Sequence, residues 1–221
     1  MTKLNSMDLL ELKKFKATFI IFWIGQLFLL ISMFTFDGRF KFLPNILILL
    51  TIFNPIGYVL SLISLIKLKG INHHFYLSLV TFGIFVAVGI LKSVCQTSTD
   101  EFFINWSKGL DWSIAILKCI MYVYFFLGCY HYFNDNGLVK IGKRTQAAVI
   151  VIVSLVFLER LSVFLLYFNP IRANIMMNRV LTFGQIIINL VVYCFIFGML
   201  TNLLVNINRK RKELQNNEET K

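Results

Sequence analysis

The chain has 221 residues, of which 57% are hydrophobic and 15% charged, against roughly 25% charged in an average soluble domain. With 23 Phe and a mean hydropathy of +0.73, a disordered chain is excluded, and a water-soluble monomer would have to expose large apolar patches. The formal net charge of +11 lies beside apolar windows rather than in a groove interleaved with aromatics, which points to membrane topology and anionic lipid and away from nucleic acid.

The first 16 residues mix Leu4, Met7, Leu10, Leu12 and Phe15 with Lys, Asp and Glu, the pattern of a short interfacial helix or a cytosolic lead-in. Residues 17–36 then contain no Asp, Glu, Lys or Arg. That window is longer than the apolar core of a signal peptide and is followed by no small-residue processing site, so it is expected to be retained. Residues 42–66 are likewise uncharged, and 70–91 hold only the weakly basic His73 and His74. The window 112–134 is interrupted by Lys118, 145–171 by Glu159 and Arg160, and 180–208 by no formal charge. Each window supplies the roughly 20 helical residues that cross about 30 Å of hydrocarbon.

Backbone amides in lipid must be paired within the segment, and long apolar runs without a turn every few residues favour helices over a barrel. The sequence therefore predicts an all-α integral membrane protein, a six-transmembrane-helix bundle with helices at 17–36, 43–66, 75–92, 113–133, 146–168 and 180–205. Residues 1–16 precede the membrane domain of 17–205, and 206–221 form a basic, then polar, tail. With the amino terminus inside, 14 Lys and Arg fall on inside segments and six on outside ones, which predicts both termini in the cytoplasm.

Polar residues on shared faces of these helices carry the functional expectation. In the second window Thr51, Asn54, Tyr58 and Ser61 are spaced by three, four and three. In the sixth, Thr182, Gln185, Asn189 and Tyr193 are spaced by three, four and four. Such stripes avoid lipid and seek neighbouring helices, water or a polar solute. Gln26, three residues after Trp23, joins either arrangement. Pro55 beside Asn54 removes one helical donor. Lys118 has two readings, snorkelling to the outer headgroups or facing a cavity shared with Tyr122 on the same helical face. Glu159 and Arg160 are expected to point inward and to pair with each other, with Lys118 or with a solvated space. Gly83 and Ala87, four residues apart, are a candidate close approach between helices.

Specific chemical motifs do not emerge. HExxH, Walker and GxSxG patterns are lacking, and the four Cys form no CxxC pair. His73 and His74 have no acidic or Cys partner at ligand spacing and read as interface residues. No catalytic residue, metal site or cofactor is expected.

The stretch FNPIGYVLSLISLIKLKGINHHFYLSLVTFG, Phe53 to Gly83, resembles the helix, basic turn and following helix of the bacterial nicotinamide riboside transporter family. The segment from Asp111 to Asn134, ending in FFLGCYHYFN, resembles the next part of that family. The resemblance covers about a quarter of the chain and implies facilitated diffusion of a vitamin-related nucleoside through a helix bundle, commonly in an oligomer. The family's tryptophan pair three residues apart has no counterpart among Trp23, Trp106 and Trp112, so no binding residue is transferred from it.

The expected function is transport of a small polar or aromatic solute across the cell inner membrane or plasma membrane. Its pathway would be lined by Gln26, Asn54, Tyr58, Lys118, Tyr122, Glu159, Arg160, Gln185, Asn189 and Tyr193. The alternative is a substrate-binding or regulatory subunit of a larger complex. The expected partners are the solute, the lipid bilayer, and either a second copy or a separate energising subunit, since the chain has no ATP-binding motif of its own.

Overall fold

The computed structural model describes residues 9–33, 44–97, 100–166 and 175–219. These form six helices, α1 Leu9–Met33, α2 Pro44–Leu68, α3 His73–Thr97, α4 Glu101–Asp135, α5 Val139–Leu166 and α6 Ile175–Glu219. Among the described residues, five stretches are long and apolar enough to cross a membrane: Leu10–Ser32, His73–Thr97, Gly109–Asp135, Val139–Leu161 and Leu190–Glu213. The apolar stretch identified in α2, Ile52–Leu68, is shorter.

Several helices extend well beyond the windows that announce them. α1 begins at Leu9 and buries Leu12 and Phe15, because Leu12, Phe15, Phe19 and Phe22 share one helical face that continues the core stripe past the charges. α4 begins at Glu101 rather than near 113, where the Asp100 carboxylate caps it by accepting from the Phe102 amide at 2.9 Å. α6 runs through the basic run to Glu219, supported by Arg209 and Lys210 on Glu213 at 3.6 and 3.4 Å. Apolar windows mark what can sit in lipid, whereas a helix stops only where its backbone bonds do.

Each helix packs on its neighbour in sequence, and α6 returns to α1 to close a ring. Short joins at 69–72 and 136–138 make the flanking helices antiparallel. Cross-contacts agree, with Ser64 near Thr18 but Phe53 near Phe28. α1 therefore begins at the end of the bundle where α6 finishes. A close approach joins α1 and α2, where a Cβ on Gly57 would stand 2.8 Å from the Gly25 carbonyl oxygen. The approach expected at Gly83 and Ala87 does not occur. Both residues are exposed, and nothing lies within 4 Å of a Cβ on Gly83, because the inward face of α3 is occupied by Phe75, Phe82 and Phe85.

Aromatic rings fill the centre of the ring. Phe15 stacks on Tyr132 with centroids 4.0 Å apart, and Phe22 stacks on Phe125 at 4.1 Å. Branched aliphatics such as Ile52, Val59, Val80, Ile84 and Ile150 are exposed on the outside. An apolar exterior around an interior that mixes aromatic rings with buried polar side chains such as Gln26, Ser61 and Glu159 suits lipid as the solvent.

Candidate functional site

One turn beyond Phe22, α1 places Gln26 in the middle of the bundle, where it is buried. Its amide is used at both ends. Tyr122 Oη on α4 donates to Gln26 Oε1 at 2.5 Å, and Gln26 Nε2 donates to Ser61 Oγ on α2 at 3.0 Å. This chain of bonds ties three helices across the ring. Trp23, on the neighbouring face of α1, donates through Nε1 to Thr201 Oγ1 on α6 at 2.9 Å.

Beside Gln26 lies a small polar cavity lined by Gln26, Leu29, Tyr58, Phe82, Phe85, Lys118, Met121, Tyr122 and Tyr193. Its volume of about 10 Å³ is room for about one water molecule. Tyr58 reaches it from α2, its ring 5.7 Å from that of Phe85 and 6.1 Å from that of Phe82. Lys118 enters from α4 with Nζ 3.6 Å from the centre of the Tyr193 ring on α6, a cation–π contact. The outward snorkelling reading of Lys118 is thereby replaced by an inward one, since a desolvated ammonium is held better by a ring face than by acyl chains. Among the described residues, Tyr58, Lys118 and Tyr193 form no hydrogen bond through their side chains, so donors around the cavity remain unused.

A charged layer sits beside it. Glu159 is buried and pairs with Arg160 Nη2. Arg160 Nη1 donates to the Asp111 carbonyl at 3.4 Å, and its guanidinium lies 5.9 Å from the Trp112 ring centre. Lys92 bonds the Asp111 carboxylate at 2.5 Å. Lys118 lies within the electrostatic field of Glu159 and Arg160.

Five residues singled out by spacing, Gln26, Tyr58, Lys118, Tyr122 and Tyr193, thus surround one cavity. Glu159 and Arg160 adjoin it as an ion pair. Asn54 is half-buried one turn away on α2 and is not among the lining residues. Gln185 and Asn189 are on α6, but their side chains, like those of Thr51 and Thr182, lie outside the described residues.

Two features escaped the sequence reading. The inward aromatics Phe82 and Phe85 were hidden in a uniformly apolar window, although Phe75, Phe82 and Phe85 share one helical face. A second, open cavity of about 510 Å³ lies at the end of the bundle where α1 begins, lined among others by Glu11, Lys14, Phe15, Lys67, Asn72, Tyr132 and Asp135. The Phe15–Tyr132 and Phe22–Phe125 stacks stand between it and the level of Gln26. At that same end His74 stacks on His131 with centroids 4.6 Å apart, and the described residues contain no cluster able to hold a metal.

Set against known protein families, curated proteins and solved structures, the chain matches none of them.

Proposed function

We propose that this chain is a multi-pass membrane carrier for a small polar or aromatic solute, embedded in the cell inner membrane or plasma membrane through six spans with both termini cytoplasmic. The supporting observation is the convergence of Tyr58, Lys118 and Tyr193 from three helices on one interior cavity, with their donors unspent. Polar groups in lipid that serve only to glue helices are normally satisfied by one another, as Gln26 is. The open cavity at the bundle end is of solute size. In this reading it is a vestibule, the aromatic stacks are a closed gate, and the small inner cavity is the site in its contracted state. The resemblance of Phe53–Gly83 and Asp111–Asn134 to nicotinamide riboside transporters makes a vitamin-related nucleoside moving by facilitated diffusion the first solute class to test.

Purified protein reconstituted into liposomes should pass one member of a vitamin and nucleoside panel down its gradient. Tyr58→Phe with Tyr193→Phe should cut that flux by at least about tenfold, the loss of roughly 1.4 kcal/mol of solute contacts, with helix content unchanged. Folded protein that moves nothing in the panel would overturn the reading. The small inner cavity favours one second reading, a binding or regulatory subunit that opens only with a partner chain, and stable copurification of an ATPase would select it.

A further inference from the structure

Lys92, Asp111, Lys118, Glu159 and Arg160 sort into two pairs and one remainder. Lys92 is matched by Asp111, and Arg160 by Glu159. Lys118 is the cation left over: among the described residues no carboxylate lies within ion-pair distance of its ammonium, which rests instead on the Tyr193 ring. A partly compensated charge in a membrane interior is costly, and a ring face with a carboxylate already shared by Arg160 offsets only part of the lost hydration. The groups lining the cavity beside Lys118 are mainly donors; the Glu159 carboxylate lies within electrostatic reach of both Lys118 and Tyr193 but is engaged by Arg160, so Lys118, Arg160 and Glu159 together keep one net positive charge. Tyr58 and Tyr193 offer hydroxyl donors, and Phe82 and Phe85 supply rings whose edges are electropositive. A cation entering here would meet the charge of Lys118 and find the Tyr193 face already taken. A neutral solute would leave the charge uncompensated.

We propose that this cavity is an anion site, and that the solute carries a single negative charge that becomes the counter-ion of Lys118, which selects against nicotinamide riboside itself, a cation, and favours the acidic members of the vitamin panel. The inference rests on the carrier reading for its solute, but not for its site. An organic carboxylate and a halide present the same chemistry to Lys118. In the contracted cavity there is room only for a particle near the size of a water molecule, so a carboxylate on a ring requires the bundle to open whereas a halide hardly does.

Benzoate, benzamide and benzamidinium have nearly the same shape and charges of minus one, zero and plus one, so they separate charge from size. Binding to the full chain in nanodiscs, read as thermal stabilisation in halide-free buffer, should favour benzoate over both others by on the order of tenfold, the effect of one desolvated charge pair. Lys118→Met should abolish the preference and Lys118→Arg should keep it. Chloride alone should compete with benzoate. Stabilisation by chloride without benzoate would still support the anion site and identify the inorganic source. Measurable and equal binding of the three compounds, no binding of either benzoate or chloride, or a preference surviving in a folded Lys118→Met protein overturns the proposal. If Lys118→Met does not fold, the charge series on the wild-type chain decides alone. Benzoate binding without flux of any solute supports the anion site while sinking the carrier reading. Flux of a neutral or cationic solute without anion binding does the reverse.

Discussion

Gln26 and Lys118 line the same cavity and differ in what they have already spent. Gln26 has given one donor and its acceptor to Ser61 and Tyr122. Lys118 rests on a ring face in the field of Glu159, with no hydrogen bond or ion pair among the described residues. Gln26→Leu should therefore act on stability first, removing two interhelical bonds and leaving the Tyr122 hydroxyl buried without an acceptor. Interhelical bonds in membranes average about 0.6 kcal/mol and reach about 1.7, so a loss of about 1–3 kcal/mol in reversible unfolding by mixed micelles is expected. A variant as stable as wild type would show that the Gln26 bonds contribute nothing net. Spacing in the sequence made much of this site legible: Lys118 and Tyr122 stand one turn apart, and Tyr58 and Ser61 lie on one stripe. Spacing was silent on partners. It showed that Gln26 avoids lipid but not that its amide bridges α2 and α4, because registry between helices is set by packing that no single helix encodes.

At the scale of the element, the contrast between Gly57 and Gly83 separates packing from propensity. A methyl group on Gly57 meets the Gly25 carbonyl at 2.8 Å and the Leu29 side chain at 2.8 Å, and backbone cannot rotate away. Gly57→Ala should push α1 from α2 and destabilise by about 1–3 kcal/mol, the usual effect of overpacking. Gly83→Ala meets open space and should be neutral or stabilising by up to about 1 kcal/mol. The same micelle titration reads both, and equal effects would remove the close approach as a feature of the fold. The sequence marked the wrong small residues for a physical reason. Gly25 and Gly57 lie in different windows and become a pair only when α1 and α2 dock, whereas Gly83 and Ala87 are paired by spacing within one helix. Helix existence was legible from charge-free lengths. Helix ends were not, since α4 and α6 continue through polar and basic residues that lie beyond the apolar windows.

For the whole molecule, antiparallel packing gathers charge that the sequence distributes. Lys13, Lys14, Lys67, Lys69, Lys140, Lys143, Arg144 and the run Arg209–Lys212 all fall at the end where α1 begins and α6 finishes, beside the open cavity. Lys92 lies toward the other end, and its charge is matched there by Asp111. Translocating the Lys-rich end is disfavoured, so that end is expected in the cytoplasm and the open cavity with it. Gly70, exposed in the turn before α3, and Gln96, exposed near the close of α3, report opposite ends of the bundle. An impermeant maleimide should label Gln96→Cys in intact cells, and Gly70→Cys only after permeabilisation. Both variants are made in a chain carrying Cys119→Ser and Cys194→Ser, which serves as the blank, because Cys194 is exposed and Cys119 half-buried whereas Cys95 and Cys129 are buried. The inverse labelling pattern would turn the carrier around and place its vestibule outside. Labelling of both sites in intact cells would mean that α3 does not cross the membrane, and the closed ring would then lose the lipid exterior that explains its exposed aliphatic surface.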